Sequence, residues 1–142
     1  MTTASRDPLG PGTEVPGKEL RYRETFNQTL KDELERDPEV FIMGEDVAGG
    51  AGREHLGIID SWGGPFAATK GLIQQFGARR ILDTPISEAT FVGCGVGAAI
   101  AGMRPVVDLM FVGFFGVCGD QIVNNAAKMH YMFGGKIKLP LT

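Results

Sequence analysis

From Arg23 to Arg36 the apolar residues Phe26, Leu30 and Leu34 recur at four-residue spacing among Glu, Lys, Asp and Arg. That spacing predicts an amphipathic helix, which Pro38 forbids from continuing. The pattern then changes. Val40-Phe41-Ile42-Met43 has no polar member and reads as a buried strand. It ends at Gly44-Glu45-Asp46, which places two acids at a strand's carboxyl end. From Val47 to Lys70 glycines punctuate a loop, and loops of that length inside compact domains usually carry function or move. Gly71–Phe76 reads as a short helix closed by Gly77.

The segment from Ile81 to Pro105, ILDTPISEATFVGCGVGAAIAGMRP, carries the most information. A strand over Ile81–Asp83 breaks at Thr84-Pro85, and Ser87 stands where it can cap a helix running to about Met103. Glu88 is the lone acid in that helix's first turn. Ala89 to Met103 carries no charge and is rich in Gly and Ala. A helix so apolar is expected to be buried, with its small residues admitting a close neighbour. A strand over Val106–Met110 completes a strand–helix–strand unit. Phe111, Phe114 and Phe115 follow it, then a helix over Val117–Met132 that stops at Gly134-Gly135. Lys138–Thr142 looks like the start of another strand.

Alternating helices and apolar strands predict an α/β fold: a three-layer α/β/α arrangement around a mostly parallel sheet. Residues 21–142 form one domain in this reading. A chain that stops on entering a fourth strand has an incomplete sheet. Residues 1–20, rich in Pro, Gly and Thr, read as a disordered lead-in without the apolar core of a signal peptide.

Composition narrows the function classes. The 142 residues are 43% hydrophobic and 22% charged, ordinary for a soluble globular protein. A net charge of −3 without a basic stripe argues against nucleic acid. The Ala89–Met103 run is too short and glycine-rich to span a bilayer, so no membrane association is expected. Cys94 and Cys118 have neither metal-ligand nor redox spacing and read as two buried, reduced thiols of a cytoplasmic protein. His55 and His130 lack partners at metal spacing, and no metal site is expected. The 21 glycines cluster rather than spread, as a fold with tight approaches needs.

Parallel sheets bind ligands beyond the carboxyl ends of their strands. Three features fall there: Glu45-Asp46, the Thr84–Glu88 turn and the Phe111–Phe115 loop. Together they suit a flat, nitrogen-containing ring, with an acid to hydrogen-bond it and an aromatic face to pack on. Each also has an ordinary explanation. Glu88 can serve as a first-turn acid facing the helix dipole, Glu45-Asp46 as solvated turn acids, and the phenylalanines as core. No GxGxxG or GxxxxGK[ST] sequence supports a nucleotide site.

Five blocks, in order, carry a resemblance: GEDV at 44–47, TKGL at 69–72, DTPISE at 83–88, the glycine-rich run at 93–106, and DQIVNNAAKMHYMFGGK at 120–136. They resemble the β subunits of thiamine-diphosphate-dependent 2-oxo acid and acetoin dehydrogenases. LMFVGFFGVCGDQIVNNAAKMHYMFGGK and the WGG at Trp62 look most like the acetoin type.

The resemblance implies a transketolase-like pyrimidine-binding domain, with a further C-terminal domain in the family beyond the length of this chain. It implies that Glu88 hydrogen-bonds the pyrimidine nitrogen opposite the exocyclic amine of thiamine diphosphate. Phe114 aligns with the aromatic residue packed on that ring, Met110 with a neighbouring wall residue, and Glu45 with an acid on a proton path between two active sites. The role at Glu88 requires a carboxyl group able to hold a proton. The family's diphosphate and Mg2+ are held by a separate α subunit, in a heterotetramer of two α and two β subunits (α2β2). A lipoyl-bearing acyltransferase receives the acyl group cleaved from a 2-oxo acid or acetoin. By this reading the chain alone is inactive. Gly113 and Gly119 depart from the polar and bulky residues many relatives carry there, which implies a looser pocket near Phe114. The alternative is a truncated, non-catalytic paralogue acting only in subunit pairing.

Overall fold

Val40–Gly44, five residues all buried, form the central strand β1 of a three-stranded sheet ordered β2-β1-β3. The structure is a computed structural model that describes residues 21–49 and 62–142. The predicted lead-in, the loop glycines from Gly50 to Gly57 and His55 lie outside the described residues. β2 (Ile81–Asp83) and β3 (Arg104–Asp108) both run parallel to β1, with Ile42 opposite Ile81 on one side and Val106 on the other.

Because successive strand residues point to opposite faces, β1 feeds two cores. Val40 and Ile42 pack with Leu30 and Leu34 of α1 (Tyr22–Arg36), Leu72 of α2 (Leu72–Phe76) and Ile81. Phe41 and Met43 pack on the other side with Phe91 and Val92 of α3 (Glu88–Ile100) and Cys118 of α4 (Phe115–Asp120). The predicted three layers and parallel sheet are therefore present.

Glycine at position 95 is required by packing. A Cβ there would lie 2.6 Å from the Val107 side chain, so α3 sits hard against β3. The opposite face of α3 is not buried: Ala89, Thr90, Cys94, Gly97 and Ile100 are exposed. The uncharged helix is thus covered on one side only, and of the two thiols expected to be buried only Cys118 is; Cys94 is exposed. Ser87 occupies the N-cap position, but its hydroxyl donates to Pro85 O at 3.3 Å and makes no cap bond.

β3 begins two residues before its predicted start and ends at Asp108, so Met110 lies in the following turn. The single helix expected over 117–132 is instead a composite. A 3-10 turn (Val112–Phe114), α4, a π-helical stretch (Gln121–Ala126) and α5 (Ala127–Met132) follow one another. Gly134 and Gly135, both at positive φ, end it as expected. Lys138–Thr142 forms no assigned strand, yet Thr142 donates to Pro105 O and accepts from Val107 N–H. Those are the two bonds of a parallel bridge, made on the β3 edge away from β1.

Candidate functional site

The carboxyl ends of the three strands lie on one edge of the sheet, and each is followed by a candidate residue. β1 leads into Glu45, β2 into the turn before Glu88, and β3 into Met110 and Phe114.

Glu88, the first residue of α3, is only 7% exposed. Its carboxylate makes no hydrogen bond or ion pair among the described residues. Its oxygens are not fully enclosed, so a donor from outside the chain can reach them. The helix N-terminus supplies a partial positive charge, but no donor side chain. Nearby, Thr84 Oγ1 is buried and likewise unpartnered among the described residues.

Glu45 faces the same region. Its pKa lies above the ordinary glutamate value, raised first by burial, then by the adjacent Asp46 carboxylate and then by Glu88. The structure therefore brings Glu45 and Glu88 within range of one another's charge, which sequence alone left as two separate acids. Like charge nearby favours keeping a proton on Glu45.

The turn bearing Glu45 is braced from below. Asp83, at the end of β2, accepts the Ala48 N–H at 2.5 Å. Thr84 N–H donates to Gly44 O at 3.0 Å, and the buried Thr69 hydroxyl donates to Val47 O at 2.7 Å. Asp46 takes φ +58°, the left-handed region uncommon outside glycine.

The aromatic side is assembled after β3. Phe111 meets Phe114 edge-on at 5.5 Å between ring centroids, and Phe66 meets Phe111 at 5.2 Å. Phe66 was not singled out from sequence, because its only signal was an aromatic residue in a glycine-rich loop. Met110 lines a groove of about 850 Å³ beside the β3 edge that Thr142 bridges, together with Phe66, Phe26, Val107, Leu109 and Tyr22. Glu45, Glu88 and Phe114 lie outside that groove. Met110 thus lines the groove, whereas Phe114, four residues on, does not. The acid pair and the aromatic cluster share the carboxyl edge as two neighbouring groups, the first on β1 and α3, the second on the segment after β3.

Among the described residues no three His, Cys, Asp or Glu side chains come together to hold a metal. No helix among them is long and apolar enough to cross a membrane.

Residues 18–142 match the family described as transketolase, pyrimidine binding domain. The chain is 49% identical over 123 residues to the beta subunit of acetoin:2,6-dichlorophenolindophenol oxidoreductase of Bacillus subtilis, covering 87% of this chain and 36% of that protein. The Cupriavidus necator protein of the same name is 49% identical over 124 residues, with the same coverage of 87% and 36%. The mitochondrial pyruvate dehydrogenase E1 component subunit beta of Dictyostelium discoideum is 45% identical over 124 residues, covering 87% of this chain and 32% of that protein. The chain spans about a third of the length of these relatives.

Proposed function

The chain belongs to the transketolase pyrimidine-binding domain family, and on that premise we propose that its carboxyl edge binds the aminopyrimidine ring of thiamine diphosphate within a dehydrogenase β subunit. The observation that carries this reading is Glu88: a residue only 7% exposed, first in an apolar helix, whose carboxylate has no protein partner among the described residues. The donor set fits the ring. An unpartnered acid suits a ring nitrogen, Phe114 offers an aromatic face, and the orphaned Thr84 hydroxyl is a spare polar contact.

When bound, thiamine diphosphate supplies a nucleophilic carbon able to attack a carbonyl and cleave the adjacent bond. Glu88 would hold a proton at the ring nitrogen, which makes the exocyclic amine more acidic and readier to give up a proton of its own. Glu45 borders the same edge, and burial, Asp46 and Glu88 raise its affinity for a proton, which suits the acid that the resemblance assigns to a proton path. Phe114 packs on the ring, and Met110 walls the neighbouring space.

In this reading an α subunit holds the diphosphate and Mg2+, and a lipoyl-bearing acyltransferase takes the acyl group. Acetoin is the favoured substrate, since two relatives named for acetoin oxidation are each 49% identical to this chain; pyruvate is the next. A cytoplasmic setting rests on the sequence reading.

The test co-produces the full-length protein with its α subunit and follows thiamine-diphosphate-dependent dye reduction with acetoin, pyruvate and branched-chain 2-oxo acids. Turnover of acetoin in preference to the others is expected. An assembled pair that binds no thiamine diphosphate would overturn the reading and leave subunit pairing as the function.

A further inference from the structure

The turn after β3 combines an unusual backbone conformation with a strand-end carboxylate. Met110 has φ +62°, a left-handed conformation that glycine takes freely and methionine rarely. Asp108 Oδ1 accepts the Met110 N–H at 2.9 Å. Phe111 N–H then donates to Leu109 O at 2.8 Å, and Phe114 N–H to Phe111 O at 2.9 Å. A continuous set of turn bonds thus runs from the strand end to Phe114.

Asp108 is itself well anchored. It is the register partner of Gly44, and a Cβ on Gly44 would come 2.7 Å from Asp108 O and 3.0 Å from Asp108 Cβ. The carboxylate that restrains Met110 therefore stands on the rigid sheet, beside the residue that precedes Glu45. Asp83 bears the same relation to the Glu45 turn through Ala48 N–H.

We propose that Asp108 is a positioning residue for the pyrimidine site: by accepting the Met110 N–H it latches the left-handed turn that aims Met110 and Phe114. The proposal rests on the reading of those two residues as ring-facing. Asp108 acts through the backbone and need not touch the cofactor.

Thiamine diphosphate with Mg2+ is titrated into the full-length protein assembled with its α subunit, and binding is followed by near-ultraviolet circular dichroism rather than turnover. Asp108→Ala is expected to weaken binding about tenfold, as loss of a charge-assisted hydrogen bond would. Asp108→Asn keeps Oδ1 as an acceptor and should stay within about threefold of wild type. Met110→Gly weakens binding by itself but needs no latch, so adding Asp108→Ala to it should cost less than about threefold more. An equal tenfold cost in both backgrounds overturns the latch.

Where Asp108→Ala does not assemble, Met110→Val is compared with Met110→Leu. A β-branched residue is a genuine outlier at this φ, so the valine variant should bind about tenfold more weakly than the leucine variant, and equal binding refutes the proposal. A wild-type assembly that binds no cofactor overturns the pyrimidine reading and this inference with it. Binding by wild type and Asp108→Ala alike overturns this inference alone.

Discussion

The two edges of one sheet treat charge in opposite ways. At the amino edge two cations, Arg80 and Arg104, hold elements together. The Arg80 guanidinium donates to the carbonyls of Leu34, Asp37 and Val40, tying the end of α1 to the start of β1. Arg104, opening β3, pairs with Asp37 at 3.1 Å. At the carboxyl edge the acids Glu45, Asp46 and Glu88 make no ion pair among the described residues. Two residues there, Asp46 and Met110, adopt left-handed backbone, and a buried hydroxyl goes unpartnered. One edge is organised for stability; the other retains unmet polar groups and local strain, as ligand sites do.

Substituting Glu88 gives the largest expected effect on that contrast. Glu88→Gln should lower thiamine-diphosphate-dependent turnover of the assembled enzyme by about 10²–10⁴-fold, while its melting temperature moves less than the several degrees that ~1 kcal/mol produces. A turnover loss below about threefold would remove Glu88 from its proposed catalytic role. Arg80→Leu should do the reverse. Leaving three carbonyls without their donor should cost about 2–3 kcal/mol in urea unfolding, with cofactor affinity of the folded enzyme unchanged.

Gly44→Ala sharpens the comparison from within the carboxyl edge, where it joins two strand ends: its Cβ would press on Asp108 O at 2.7 Å. A cost of about 1–3 kcal/mol is expected from overpacking, together with weaker cofactor binding as the two strand ends separate. A variant that lost stability with binding intact would show that the carboxyl edge tolerates the shift.

The smallest effect concerns pH. Glu45 binds a proton more tightly when folded than when unfolded, so it favours the fold at low pH. That contribution is fully present below the ordinary glutamate value and is lost as pH rises through the raised one. In Glu45→Gln the unfolding free energy should fall less over that window than in wild type. Equal slopes in chemical-denaturation series across the window would show Glu45 to be an ordinary surface acid.

Much of the framework was legible in the pattern of residues. The switch from four-residue spacing to the continuous apolar run Val40–Met43 predicted α1 and β1. Gly77 and the Gly134-Gly135 pair marked helix ends correctly, and the glycine-rich run announced a close contact that Gly95 makes with Val107. Glu88 stood out because a lone acid beside an uncharged helix is physically conspicuous. Other features were not legible. Ser87 looked like a cap, but its hydroxyl found a nearer carbonyl at Pro85. The π-helical stretch within 115–132 has no periodic signature, since a shift in hydrogen-bond register leaves the apolar pattern nearly intact.

Local pattern by itself determined which segments are helices and strands, that β1 is buried on both faces, and which residues follow each strand. These depend on spacing and burial preference along the chain. Only tertiary structure decided that Cys94 and one whole face of α3 stay exposed, that Phe66 reaches Phe111, and that Glu45 and Glu88 share a charge environment. The Asp108–Met110 bond is local, but only the Gly44–Asp108 register seats it beside the strand end that leads to Glu45. Such relations join residues tens of positions apart, and strand order and register, which set them, leave little trace in local sequence.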